Sequence, residues 1–288
     1  MTETKIGIIG GSGLYQYDGF EIENEVDVET PFGSASDHFF IGKLNGVGVA
    51  FLPRHGRHHS LLPTEVPYRA NVYGMKRLGV EYLVGVGAVG SLQQQHKPGN
   101  VVLPDQFFDR TKGGTPDTFF GEGIIAHVAF SHPCDQRMME ALRLSGMELG
   151  YNICKGGTYV NIEGPAFSTQ AESVAYHKAG YDVIGMTNMI EAKLAREAEI
   201  AYASAAMVTD SDAWNPRQQP VTVDMVMEIL KRNKDTAQKI LFAAVPRLAD
   251  LGPSPAHNAL QGSIVTPASQ WPEATAEKLD AIIRKYAE

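Results

Sequence analysis

Tyr181-Asp182-Val183-Ile184-Gly185-Met186-Thr187 runs into Asn188-Met189-Ile190-Glu191-Ala192-Lys193-Leu194-Ala195. Ile200-Ala201-Tyr202-Ala203-Ser204-Ala205-Ala206-Met207-Val208 follows, and the stretch ends on Thr209-Asp210-Ser211-Asp212-Ala213-Trp214. It reads as strand, turn, helix, strand. Val183-Ile184 is apolar and Ile200 to Val208 almost continuously so, the pattern of strands covered on both faces. Open α/β sheets bind ligands outside the carboxyl ends of their strands. Met186-Thr187 and Asp210-Ser211-Asp212 therefore fall at the mouth of one predicted site. Taken alone, the two acids suit a solvated turn or a helix cap as well.

Outward from this stretch the pattern repeats. Lys5-Ile6-Gly7-Ile8-Ile9 is an apolar strand entering Gly10-Gly11-Ser12-Gly13-Leu14-Tyr15, a turn whose backbone N–H groups and Ser12 hydroxyl can cradle an anion. A dinucleotide fingerprint is the rival, and it fails on spacing, because Gln16 stands where the third glycine belongs. Asn45-Gly46 between two apolar runs within Phe39 to Pro53 predicts a hairpin. It delivers Arg54-His55-Gly56-Arg57-His58-His59 at a strand end, where two arginines beside histidines suit a dianion. Those flanking cations, with no Cys or carboxylate alongside, oppose a metal there.

Tyr68 to Leu78 is predicted helical with Gly79 as its stop. Glu81 to Val86 is a buried strand, and Gly87-Ala88-Val89-Gly90-Ser91-Leu92 is read as a small-residue turn forming a second backbone cradle. Thr111 to Gly123 is read as a flexible loop, and His127, among Ala126, Val128 and Phe130, as a packed core residue. Met138 to Leu149 is amphipathic. Gly157 to Ile162 is a strand whose closing turn, Glu163 to Thr169, opens a helix to Ala179, capped by Ser168 or Thr169. A long helix runs from Val223 to about Leu248 with Thr222 as N-cap, and puts Val223 and Val226 on one face. A final helix is expected over about 272–286. Strands alternating with helices give an α/β fold: a single-domain mixed, largely parallel sheet flanked by helices over residues 1–288, with polar turns converging on one site.

Composition sets the bounds. The chain has 288 residues, 43% hydrophobic, enough for a large core. Its net charge of −8 without a Lys/Arg block argues against nucleic-acid and membrane partners. Cys134 and Cys154 form neither a framework nor a CxxC, so reduced thiols and a cytoplasmic location are expected. No run of about 18 apolar residues is present.

The motifs Ile8-Ile9-Gly10-Gly11-Ser12-Gly13-Leu14, Arg54 to His59, Ala88-Val89-Gly90-Ser91-Leu92, Pro104-Asp105-Gln106-Phe107-Phe108-Asp109, Ile162 to Ser168 and Gly185-Met186-Thr187, in register over roughly residues 4 to 267, together resemble the 5′-methylthioadenosine phosphorylases. These form part of the trimeric branch of the purine nucleoside phosphorylases. The resemblance implies attack of phosphate on C1′ of the nucleoside, with no cofactor beyond inorganic phosphate as co-substrate, no metal, and a homo-oligomer, expected to be a trimer. It implies that Ser12, Arg54, His55, Thr187 and the Ala88 N–H hold phosphate, that Met186 lies against the ribose, and that Phe167 and Ile184 flank the base. Asp210 is implied as general acid to the leaving purine, and Asp212 as acceptor of its 6-amino group. His127 corresponds to a histidine reaching toward the 5′ substituent from a neighbouring subunit, and Val223 and Val226 to the apolar wall for a methylthio group.

The chain departs from this family pattern in several places. Gly87 stands where relatives usually carry Ser or Thr, Pro67 where Asn is common, and Ala166 where Arg is. Asn188-Met189-Ile190 replaces a usual Val-Pro pair, and Ser211 an aromatic residue. Relatives acting on 6-oxopurines place Asn at position 210 and Glu at 168, and this chain has Asp210 and Ser168. The alternatives are a phosphorylase preferring another nucleoside, such as adenosine or methylthioinosine, a hydrolase using water, which Arg54 and His55 oppose, and a nucleoside sensor without turnover.

Overall fold

The computed structural model describes residues 4–11, 13–215 and 223–287, and over 223–228 and at 230 only the backbone. In chain order, β1 (Ile6–Gly10) leads to the antiparallel set β2 (Phe20–Val26), β3 (Phe39–Leu44) and β4 (Val47–Pro53). Then come α1 (Tyr68–Arg77), β5 (Tyr82–Ser91), β6 (Val101–Leu103), β7 (Gln106–Arg110), α2 (Gln136–Glu148), β8 (Ile153–Lys155), β9 (Thr158–Ile162) and α3 (Gln170–Lys178). The stretch from Tyr181 to Trp214 supplies β10 (Val183–Gly185), α4 (Asn188–Glu197) and β11 (Ala201–Ser211). The chain closes with α5 (Val223–Ala249), α6 (Glu273–Lys278) and α7 (Asp280–Ile283).

All eleven described strands join one mixed sheet. Its spine is β5, paired in parallel with β11 from Ala201↔Tyr82 to Ser211↔Ser91. Every residue of β11 up to Thr209 is buried, as an apolar strand with helices on both sides must be. The other edge of β5 is shared. β1 pairs with its first half in parallel, ending at Ile9↔Gly85. β10 pairs with its end antiparallel, at Ile184↔Gly90 and Val183↔Ser91. Residues 86–89 of β5 thus have no strand on that edge, and their backbone groups face an opening in the sheet. This is where strand direction switches, the place where α/β sheets bind ligands.

Local chemistry accounts for the boundaries. The hairpin β3–β4 turns on Asn45 (φ 51°) and Gly46 (φ 79°), both in the left-handed region that a two-residue type I′ turn demands. Thr169 caps α3 by accepting from the Glu172 N–H while the Glu172 carboxylate accepts from the Thr169 N–H, a reciprocal capping box. α4 packs on α1, β5 and β11, and α5 on α2 and β11. No described helix is long and apolar enough to cross a membrane.

Three sequence expectations are corrected. Gly87 to Ser91 is not a turn: β5 continues through it, because β11 pairs with it along its whole length. Gln106 to Arg110, which the sequence assigns to no element, is a strand paired parallel to β9. The single helix expected over 272–286 is broken at Leu279, which is fully buried, so the chain bends to bring Leu279, Ile282 and Ile283 into the core. His127 is exposed rather than packed in the core, with its N–H donating to the Ser263 carbonyl. The Thr222 cap lies outside the described residues.

Candidate active site

A cleft of about 380 Å³ opens at the exposed edge of β5. Its floor is Val86 to Gly90, and its walls come from the ends of β4, β9, β10 and β11. Arg54, His55, Ala88, Phe167, Ile184, Met186, Thr187, Asp210 and Asp212 all line it. Residues scattered over more than half the chain converge because each follows or ends a strand of one sheet. Ser12 lies outside the described residues, as do the side chains of Val223 and Val226, which sit in the first turn of α5. His127 does not line the cleft of its own chain.

The floor gives the site a direction. A Cβ built on Gly87 would lie 3.9 Å from Arg54 Nη1, whereas one on Gly90 would lie 3.4 Å from Asp210 Oδ2 and 3.3 Å from the Asp212 Cβ. Three residues of strand separate these points, roughly 10 Å at 3.3 Å per residue. The cation end and the acid end are therefore held apart by about the length of a nucleoside.

At the cation end Arg54 is 2% exposed. Nε and Nη2 donate to Glu191 Oε1 and Oε2 at 2.5 and 3.0 Å, Nη2 also to the Ile9 carbonyl at 3.2 Å, and Nη1 to the Val86 carbonyl at 2.8 Å. Of the five guanidinium N–H groups, one on Nη1 is left for a ligand. Burial opposes the charge, but Glu191 holds Arg54 protonated. His55 differs: burial and the adjacent Arg54 cation push its imidazole down to about 4. It is neutral at pH 7, and its Nδ1 lies 2.8 Å from the Leu61 carbonyl. Nδ1 must therefore carry the proton there, which leaves Nε2 as an acceptor. Arg57, grouped with Arg54 in the sequence reading, points elsewhere, to Asp37 and Glu25.

At the acid end a β-bulge falls between Val208 and Asp210. Strict alternation would put only residues 210 and 212 on one face. With the extra residue Thr209 lines the cleft too, and its hydroxyl lies 2.6 Å from Asp210 Oδ1 and 3.1 Å from the Val89 carbonyl. Burial pushes the Asp210 carboxyl up to about 6, with Thr209 opposing and the Asp212 charge adding to the rise. Asp212 is also raised, chiefly by burial. Asp212 Oδ2 and Ser168 Oγ are buried without a hydrogen-bond partner, at a site where burying a polar atom without a partner is costly. Both residues line the cleft, and the nearby Ser173 hydroxyl and Ala213 N–H act on the Asp212 carboxyl against the rise.

Sequence reading missed Glu191 and Thr209 as site residues. A signal for Glu191 was available: one carboxylate inside the apolar run Met189 to Ala195, on a helix that starts at the site. The partner of Arg54 was not legible, since 137 residues separate the two. Among the described residues, no group of three His, Cys, Asp or Glu side chains is arranged to hold a metal.

Residues 5–246 match the family described as the phosphorylase superfamily. The S-methyl-5′-thioadenosine phosphorylase of Synechocystis sp. is 52% identical over 290 residues, covering 99% of this chain and 89% of that protein. The crystal structure of a methylthioadenosine phosphorylase from an antarctic soil metagenomic library superposes with a TM-score of 0.93 at 47% identity, covering 98% of this chain and 99% of the other. A variant of the adenosine/methylthioadenosine phosphorylase of Schistosoma mansoni, solved in complex with methylthioadenosine, gives 0.84 at 33% identity, covering 91% and 99%.

Proposed function

The chain belongs to the phosphorylase superfamily, and from that premise we propose that it cleaves 5′-methylthioadenosine with phosphate, giving adenine and 5-methylthioribose 1-phosphate. The observation that carries the reading is the polarity of the cleft: one Arg54 N–H, His55 and Thr187 lie at one end of the open β5 edge, and a carboxyl raised to about 6 lies at the other.

In the proposed reaction phosphate lies at the cation end, held by Arg54, Thr187, the Ala88 N–H and Ser12. The neutral His55 accepts a hydrogen bond from its P–OH. A phosphate oxygen forms a bond to C1′ as the C1′–N9 bond breaks, and the electron pair of that bond passes into the purine. The sugar becomes cationic on the way, so catalysis depends on holding an anion beside it and on removing charge from the base. Asp210, protonated in part because burial raises it, gives its proton to N7, so adenine leaves neutral. Asp212 Oδ2, buried and without a partner, accepts from the 6-amino group. Phe167 and Ile184 flank the base, and Met186 lies against the ribose, as close to Gly164 as a position without a Cβ allows.

The reading extends to a homotrimer acting in purine and methionine salvage in the cytoplasm, with no cofactor. His127 is exposed on a segment tied to residues 263–265 by the His127 N–H to the Ser263 carbonyl and the Val265 N–H to the Ile125 carbonyl. Ile125 and Val265 there are more than half exposed, which suits an approach of His127 to the 5′ end of a neighbouring copy's substrate. Val223 and Val226 would wall the methylthio group.

Adenine release from methylthioadenosine, with and without phosphate, tests the reading. Release that saturates in phosphate is expected. Release without phosphate would make the protein a hydrolase, and no release would end the proposal.

A further inference from the structure

Beneath the cation end lies a buried polar layer that glycines make room for. A Cβ on Gly85 would fall 2.1 Å from Tyr202 Oη, 2.6 Å from Asn188 Nδ2 and 2.8 Å from Glu191 Oε2. A Cβ on Gly87, two residues on and so on the same face of the strand, would fall 2.8 Å from Asn188 Oδ1, a contact that real Cβ atoms essentially never show. Gly87 has no left-handed backbone, so space alone, rather than φ, keeps it without a side chain.

Asn188 fills that space. It is fully buried as the first residue of α4, and its Nδ2 donates to Tyr202 Oη at 2.9 Å. Its Oδ1 accepts from Tyr159 Oη at 3.3 Å and from Thr187 Oγ1 at 3.4 Å. Tyr202 Oη in turn donates to Glu191 Oε2 at 3.0 Å, and Glu191 carries Arg54. One amide thus touches the Thr187 hydroxyl directly and reaches the Arg54 guanidinium through two further groups.

We propose that Asn188 is the positioning residue of the phosphate half of the site, and that Gly87 and Asn188 form a volume-exchange pair. The carboxamide occupies the place of the side chain absent at position 87. From there it bears on Arg54 through Tyr202 and Glu191, and it touches the Thr187 hydroxyl at 3.4 Å. The inference rests on the phosphorolysis reading. It assigns a role to Asn188, and it gives a physical reason why the hydroxyl missing at 87 need not weaken phosphate binding.

The test is phosphate KM, nucleoside KM and kcat for wild type, N188A, G87S and G87S/N188A. The phosphate requirement of the wild type is measured first, and its absence would overturn the inference together with the reading beneath it. With phosphate dependence in place, N188A is expected to raise phosphate KM by about five- to tenfold, the order of one lost neutral hydrogen bond, with nucleoside KM little changed. G87S, which forces Asn188 out, should do the same. The double variant should bind phosphate better than either single one, because the serine enters the space left by the amide. A purely structural role for Asn188 would move the melting temperature without this split between the two KM values. Unchanged phosphate KM in N188A, or single effects that simply multiply in the double variant, would overturn the inference while leaving the phosphorolysis reading intact. Should N188A fail to fold, the isosteric N188D serves: its carboxylate adds charge beside phosphate, and an unchanged phosphate KM would count equally against the inference.

Discussion

Arg54 and Glu191, 137 residues apart in sequence, form a two-pronged ion pair that is 2% and 1% exposed. Leaving either charge there alone is costly, because an ion taken out of water without its partner loses a large fraction of what folding gains. The pair fixes the guanidinium beside the cleft, with one N–H left without a protein acceptor. It also joins the end of β4 to α4, two elements whose relation defines the cation end.

Removing one partner should therefore be severe. Glu191→Ala is expected to destabilise the protein by about 3 kcal/mol or more, the usual cost of stranding a buried charge. Thermal or denaturant unfolding reads this directly. Glu191→Gln, which keeps the shape and one acceptor, should retain more stability and still raise phosphate KM. A variant as stable as wild type would show that water or another group compensates Arg54.

Asp210 gives the reaction a pH dependence with a definite sign. As a general acid it must be protonated, and its carboxyl lies at about 6. Activity at low nucleoside concentration should fall above that value, by about tenfold per pH unit once the acid is mostly ionised. Asp210→Asn should have low turnover on adenine nucleosides and lack this limb, while still saturating with phosphate. An unchanged profile in that variant would remove Asp210 from the acid role.

Asp212 should control base identity rather than rate in general. Its carboxylate, an acceptor without a donor, suits a 6-amino donor and repels a 6-oxo acceptor. Asp212→Asn is expected to lower kcat/KM for methylthioadenosine by about tenfold or more relative to a 6-oxopurine nucleoside, since a buried hydrogen bond is lost on one side only. Equal loss on both substrates would assign Asp212 to folding instead.

Glu197 ties the segment after β7 to the end of α4, accepting from Thr118 Oγ1 and the Phe119 N–H, each at 2.7 Å. Burial pushes its carboxyl up from 4.5 to about 7. Between these values the folded state holds a proton that the unfolded state has lost, so this group's contribution to stability falls as pH rises from 4.5 to about 7. Glu197→Gln should flatten the melting temperature against pH in that window. A slope identical to wild type would mean that Glu197 ionises normally.

The acids show how far local sequence carries the site. Asp210 and Asp212 were legible because an apolar run ended on them, and strand ends are where such sheets bind ligands. Thr209 was not, because it lines the cleft only through a bulge, and a bulge is set by the partner strand rather than by its own residues. At the other end, Arg54-His55 announced a cation site, but the sequence treated Arg54 and Arg57 alike. Burial and Glu191 separate them: one guanidinium is sealed beneath the cleft and the other lies on the surface with Asp37.

By itself, then, the sequence determined the alternation of apolar strands and helices, the Asn45-Gly46 hairpin and the capped start of α3. It also determined which strand ends carry reactive groups. These follow from periodicity and from the φ preferences of a few residues, both local properties. Only the tertiary structure decided that β5 runs on through Gly90 while its outer edge opens between β1 and β10. It also decided that Glu191 sits under Arg54, and that Asn188 occupies the space beside Gly87. Those outcomes depend on which distant groups share a volume closed to water, where each buried charge and each missing side chain must be answered by a neighbour in space.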